Sequence, residues 1–130
     1  MRKLLEAAVG AMENAYVPYS KFKVGAAVLL KNGEIITGCN IENASYGLCN
    51  CGERTALFKV YSMGYRKDDI VALSVAGATD GPISPCGACR QVMAELMNLN
   101  TPVYLTNTNY DVKEMTVEEL LPYSFSGSDL

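Results

Sequence analysis

At 130 residues, with 49% apolar and 19% charged residues, the chain is long enough to bury a core as one domain without disulfide staples and too apolar for disorder. A net charge of −3 and a pI near 4.9, with never more than two basic residues side by side, exclude the basic footprint of a duplex-binding protein. Five cysteines and no histidine require any transition-metal site to use thiolates or carboxylates, and rule out a histidine base. The high apolar fraction also points to surface covered by a partner subunit.

The opening Met1–Glu6 resembles a signal peptide for only five residues before Glu6 interrupts it, and no apolar run approaches the roughly 20 residues of a membrane span. The expectation is a cytoplasmic protein with no membrane and no nucleic-acid partner. In a reducing compartment Cys-x-x-Cys reads as metal or catalysis before disulfide.

Residues 3–16 are expected to form a helix, because Leu5, Ala8, Val9, Met12, Ala15 and Tyr16 recur at helical spacing and Pro18 stops it. Lys23–Leu30 and Glu34–Cys39 read as two strands joined at Asn32-Gly33, a type I′ turn signal. Asn40–Asn50 is polar, rich in Asn and reads as a loop. Asn50 is expected to cap a helix opening at Cys51, with Ala56, Leu57 and Val60 inward. Ile70–Ala76 reads as a strand buried on both faces. Ser84-Pro85 reads as a cap and first helical residue, and Val92, Met93 and Leu96 continue that helix. Val103–Thr106 and Tyr110–Met115 read as strands about an Asn107-Thr108-Asn109 turn. Thr116 and Glu119 form a capping box before a short helix ended by Pro122. This order is an α/β sandwich around a mixed sheet, in a single domain spanning residues 1–130.

Cys86 and Cys89, three residues apart at a helix start, can share a metal ion. Alone, such a pair is equally a redox pair or two core cysteines. Cys51, at the start of another helix, is the better third ligand, since a helix N-terminus favours the thiolate. Cys49 competes for that place, and a four-thiolate structural site using both is the rival reading. Cys39 reads as a small buried hydrophobe. Three ligands leave a tetrahedral zinc ion one open position, where a bound water has its pKa lowered to about 7. Glu53 projects from the inward stripe, so it is either a capping carboxylate or a proton carrier beside the metal. Arg54 is a surface arginine or a balance for the surplus negative charge of three thiolates.

Cys51-Gly52-Glu53-Arg54-Thr55-Ala56-Leu57 together with Pro85-Cys86-Gly87-Ala88-Cys89-Arg90-Gln91 resembles the zinc-dependent nucleoside deaminases, specifically the small homotetrameric cytidine deaminases. The resemblance extends to Tyr19–Ala27, Asn40–Tyr46 and the closing Glu119–Pro122 with Phe125. It implies a three-layer α/β/α sandwich around a five-stranded mixed sheet. It implies one zinc ion per chain on Cys51, Cys86 and Cys89, and hydrolytic deamination at C4 of cytidine or deoxycytidine in pyrimidine salvage. Glu53 is then the proton shuttle to N3 and to the leaving amine, with Arg54 tuning the charge at zinc. Phe22 stacks on the pyrimidine, Asn40 and Glu42 hold the ribose hydroxyls, and the Gly52 backbone meets the base. Ala44, Tyr46 and Phe125 are expected to reach a neighbour's substrate within a homotetramer that shares its active sites. Gly52, where the family commonly has alanine, and Tyr123-Ser124, bulkier than the usual small pair, depart from the pattern.

Overall fold

A computed structural model describes residues 1–130. Five strands form one mixed sheet: β1 (Val24–Leu30), β2 (Ile35–Cys39), β3 (Ile70–Gly77), β4 (Pro102–Asn107) and β5 (Val112–Thr116). Their spatial order is β2-β1-β3-β4-β5, parallel only between β3 and β4. Four helices cover it: α1 (Arg2–Ala11), α2 (Gly52–Ser62), α3 (Gly87–Leu96) and the single turn α4 (Val117–Leu120).

Strand alternation sorts the two faces. On β1, Val24, Ala26, Val28 and Leu30 point to the larger core, where Leu57 and Val60 of α2 and Met93 of α3 meet Leu73, Val75 and Val103. Ala27 on β1 and Ala72 and Ala76 on β3 point the other way, against Leu4, Ala8 and Met12. The result is the expected three-layer sandwich. β3 is buried on both faces except at Val71, as its continuous apolar run requires. The thinner layer depends on small residues: a Cβ on Gly25 would lie 2.0 Å from the Ala8 carbonyl oxygen and 2.8 Å from Met12 N, so α1 rests with its backbone against β1.

Several boundaries differ from expectation. The first helix ends at Ala11 and tightens into a 3₁₀ turn over Met12–Asn14, well before Pro18, leaving Tyr16 exposed. The hairpin uses a three-residue loop, Lys31–Asn32–Gly33. Only Gly33 has positive φ (90°), and its N–H donates to the Leu30 carbonyl. A type I′ turn would need Asn32 at positive φ as well, so this is a type I turn with a glycine bulge. β5 begins two residues later than expected because Tyr110 (φ 63°) still belongs to the turn. There the buried Asn107 side chain donates to Thr79 O, Asp80 O and Asp111 Oδ2 and accepts from the Asn109 and Asp111 amides. The Thr116–Glu119 capping box forms as read.

Gly25→Ala is expected to destabilise the protein by about 3 kcal/mol, the upper range of overpacking, because the clash is with helix backbone that no rotamer relieves. Urea unfolding of both proteins checks this; a loss below about 1 kcal/mol would show that α1 is free to lift.

Candidate active site

The site lies where α2 and α3 start, beside the carboxyl end of β3, the end at which open α/β sheets place their ligands. Both helices begin later than the sequence reading placed them, α2 by one residue and α3 by two. Cys51 is the N-cap of α2 and Cys86 the N-cap of α3, each extended (φ −74° and −69°), and neither side chain bonds back to its own helix. Asn50 is not the cap. It pairs with Ile41 in an isolated bridge, and its Nδ2 donates to Thr55 Oγ1 at 3.1 Å. Ser84 is not a cap either; its Oγ accepts from Arg90 Nη2 at 2.7 Å.

The two caps bring three sulfurs together. Cys51 Sγ lies 3.8 Å from Cys86 Sγ, Cys86 Sγ lies 3.4 Å from Cys89 Sγ, and all three fall within 4.8 Å of one another. A zinc ion with bonds of about 2.3 Å to tetrahedral sulfurs needs them roughly 3.8 Å apart, so the trio fits one ion. Cys49 is not part of it. Its Sγ exchanges hydrogen bonds with the backbone of Asn43 at 3.3 and 3.5 Å, so the structure does not assemble the four-thiolate alternative. Cys39 is buried at the end of β2, as expected.

The charge environment suits a thiolate at Cys51. The hydrogen bond from Cys89, followed by those of Arg54 and Cys86, lowers the Cys51 thiol to about 5 against the opposing effect of burial. Cys89 is pushed up by the same bond to Cys51, by burial and by the Glu53 carboxylate. Arg54 Nη2 donates to Cys51 Sγ at 3.4 Å, which also raises the guanidinium. Arg54 therefore turns its guanidinium to the sulfurs while remaining half-buried.

Glu53 is 3% exposed, and its Oε1 has no hydrogen-bond partner. With Cys51 as the cap, Glu53 is the second helical residue and makes no capping bond. Burial, and then the neighbouring Cys51 charge, hold its carboxyl above the usual range. A buried carboxylate oxygen without a partner costs free energy unless something else meets it. It faces a cavity of about 240 Å³ whose walls include Phe22, Asn40, Glu42, Cys51 and Cys86.

Five of the expected site residues thus share one wall with Glu53. The Asn40 side chain ties the cavity floor together: Oδ1 accepts from Val24 N at 2.9 Å and Nδ2 donates to the Phe22 carbonyl at 2.8 Å, leaving one N–H free. Phe22, 40% exposed, meets Ile83 over Gly77, where a Cβ would stand 3.3 Å from Phe22 Cζ and 2.6 Å from Ile83 Cδ1. Gly52, first in α2, packs on Val24; a Cβ there would sit 3.1 Å from the Val24 carbonyl oxygen. At that position glycine relieves crowding, and the interior helix penalty does not apply. Ala44, Tyr46 and Phe125 are exposed and stand outside this cavity. Tyr46 packs edge-on against Tyr19 with centroids 6.1 Å apart, and the Phe125 carbonyl accepts from Gln91 Nε2 at 3.0 Å.

Arg90 escaped the sequence reading. Nε donates to Pro85 O at 2.8 Å, Nη1 to Leu120 O at 2.9 Å and Nη2 to Ser84 Oγ, pinning the loop before Cys86 to α4. Its place one residue after Cys89 was visible, but its partners lie up to 30 residues away.

The model of the family described as "Cytidine and deoxycytidylate deaminase zinc-binding region" matches residues 1–106. The chain belongs to this family. It is 59% identical to the cytidine deaminase of Halalkalibacterium halodurans over 98% of this chain and 95% of that one. The cytidine deaminase of Sporosarcina psychrophila is 55% identical over 100% and 94%. The crystal structure of the Burkholderia pseudomallei cytidine deaminase superposes with a TM-score of 0.93 at 55% identity, covering 95% of this chain and 98% of that one. That of Mycobacterium tuberculosis gives 0.81 at 36%, covering 96% of each. The chain is accordingly a zinc-dependent deaminase, and no helix in it is long and apolar enough to cross a membrane.

Serine at Cys51, Cys86 or Cys89 is expected to abolish stoichiometric zinc, whereas Cys39→Ser and Cys49→Ser keep it. Metal content per chain reads this directly, and zinc loss in Cys49→Ser would restore the four-thiolate alternative. A second expectation concerns Glu42, whose carboxyl the Ser20 hydroxyl, with the Ser20 and Tyr19 amides and Lys21, holds below the ordinary carboxylate range. A depressed folded pKa means the contact is complete above the unfolded value and is lost only as pH falls through the folded one. The Tyr19 and Ser20 amide shifts should therefore titrate below the usual glutamate value of about 4.3. A midpoint at or above that value would contradict the geometry.

Proposed function

We propose that the protein hydrolyses the exocyclic amine of cytidine and deoxycytidine, giving uridine and deoxyuridine with ammonia, as a cytoplasmic pyrimidine-salvage enzyme acting through a single domain spanning residues 1–130. The observation that carries this is the Glu53 carboxylate, buried without a partner on the wall it shares with Cys51 and Cys86.

Zinc held by Cys51, Cys86 and Cys89 would supply Lewis acidity and a water of lowered pKa. The chain's own groups then handle the proton and the substrate. Glu53 takes the proton of the attacking water, gives it to N3 as the C4–O bond forms, and passes a proton to the amine as the C4–N bond breaks. No other carboxylate or imidazole competes for the role: Glu42 is committed to the Tyr19–Ser20 backbone, and the chain has no histidine. Arg54 offsets the surplus charge of three thiolates through Cys51. Phe22 offers its face to the pyrimidine, the free Asn40 N–H and the Glu42 carboxylate take ribose hydroxyls, and the backbone at Gly52 lies against the base.

A cavity of 240 Å³ falls below the roughly 300–1,000 Å³ usual for small-molecule sites, which favours completion by a neighbouring chain. Ala44, Tyr46 and Phe125, exposed and absent from their own cavity, are the groups we assign to a neighbour's substrate in a homotetramer. Phe125 follows Tyr123, which sits at φ 54° fully in solvent, so the bulk at Tyr123 turns away from the chain.

Purified protein should carry one zinc per chain, sediment as four chains, and turn over cytidine followed by ultraviolet absorbance. Glu53→Gln should retain zinc and fold while losing at least about a thousandfold in kcat, within the range of general acid–base catalysis. A near-normal rate in that variant would reduce Glu53 to a structural residue. Stoichiometric zinc with no turnover on either nucleoside would overturn the substrate assignment.

A further inference from the structure

Glu42 stands between two cavities. On one side is the 240 Å³ cavity that also holds Glu53; on the other is one of about 310 Å³ lined by Tyr19, Ser20, Glu42, Tyr46 and Cys49. Only Ser20 and Glu42 belong to both walls. A glutamate side chain has several staggered rotamers of similar energy, and open space on both sides leaves its direction undecided by packing. Hydrogen bonds must decide it.

The bonds present are directional. Glu42 Oε1 accepts the Tyr19 and Ser20 amides, each at 3.1 Å, and Oε2 accepts the Ser20 hydroxyl. The Ser20 hydroxyl is oriented in turn, because its oxygen accepts the Phe22 N–H at 3.0 Å. With that oxygen occupied as an acceptor, the hydroxyl hydrogen is directed at Oε2. The turn that makes this possible is strained at Lys21, a non-glycine residue at φ 60° whose amide donates to Val17 O. A carboxylate oxygen has two lone pairs, so Oε2 keeps one for a further donor.

We propose that Ser20 is a positioning residue for nucleoside recognition: oriented by the Phe22 N–H, its hydroxyl holds the Glu42 carboxylate on the wall of the substrate cavity, with one lone pair left for a ribose hydroxyl. This rests on the reading of Glu42 as a ribose contact. Ser20 bonds to Glu42 and to the Phe22 amide and to none of Glu53, Cys51, Cys86 or Cys89, so its loss weakens ground-state and transition-state binding alike and leaves the chemical step unaltered. The Ser20 hydroxyl is also the largest cause of the lowered carboxyl of Glu42.

The test compares zinc-loaded Ser20→Ala, Glu42→Gln and the unsubstituted enzyme. Ser20→Ala should raise KM for cytidine about tenfold, the effect of one charge-assisted hydrogen bond, with kcat within about twofold. The inhibition constant of 2′,3′-dideoxycytidine, which has no ring hydroxyl to offer Glu42, should stay within about twofold of the unsubstituted value. If KM in Ser20→Ala is unchanged while Glu42→Gln raises it, the ribose reading stands and the role of Ser20 is overturned. If the dideoxy inhibitor weakens in parallel with cytidine, Ser20 merely holds the Phe22 turn, and the proposal again fails. If Glu42→Gln itself leaves KM unchanged, the ribose contact is wrong and this inference falls with it.

Discussion

Three thiols within 4.8 Å of one another are the constraint on which the rest of this structure depends. Sulfurs that close repel as thiolates and have little reason to meet as thiols, so rigid elements must hold them together. Two helix N-termini do so. Cys51 and Cys86 occupy the cap positions, where a serine or aspartate would turn back onto its own helix. A cysteine leaves those amides open, and their partial positive charge is directed at the sulfurs. The third residue beyond each cap then diverges in role. In α3 it is Cys89, whose sulfur joins the trio; in α2 it is Arg54, whose guanidinium donates to Cys51.

That convergence needs both helices at a fixed height above the sheet, and small residues set the height. Gly38 admits α2 so closely that a Cβ would stand 2.4 Å from Ala56 N. Arg90 sets the approach of α3 by spending its guanidinium on three partners from the preceding loop and α4. Once the helices are placed, Glu53 follows: one residue past the first helical position, it is carried inward with Oε1 unpartnered. The unsatisfied oxygen is a local energetic fault in the chain alone, and such faults collect at functional sites.

The substrate side is built differently, from loops stitched by side chains. Asn40 and Glu42 bond to the backbone of Tyr19, Ser20, Phe22 and Val24, so the irregular segment leading into β1 is held by side chains. The polarity that marked Asn40–Asn50 as a loop is thus explained twice over. Asn40 and Glu42 first tie the fold together, and what bonding capacity remains faces the cavity.

The chain alone determined the α/β sandwich, the strand sequence, the Cys86–Cys89 pair and the inward carboxylate. Those features follow from period and spacing, which are local: alternation on β1, helical repetition around Ala56 and Leu57, and Cys-x-x-Cys on one helix face. It also excluded histidine chemistry outright. Only the tertiary structure decided which residues cap the helices. Asn50 and Ser84 are good caps by type, but each is claimed by a stronger partner, Asn50 by the Ile41 bridge and Thr55, and Ser84 by Arg90. Only the tertiary structure separated Cys49 from Cys51, because the two differ by two residues in sequence and by the direction of the chain in space. The parts played by Ser20 and Arg90 were hidden for the same reason. A polar side chain's type is written in the sequence, but its partner, 22 residues away for Ser20 and 30 for Arg90, is chosen by the fold.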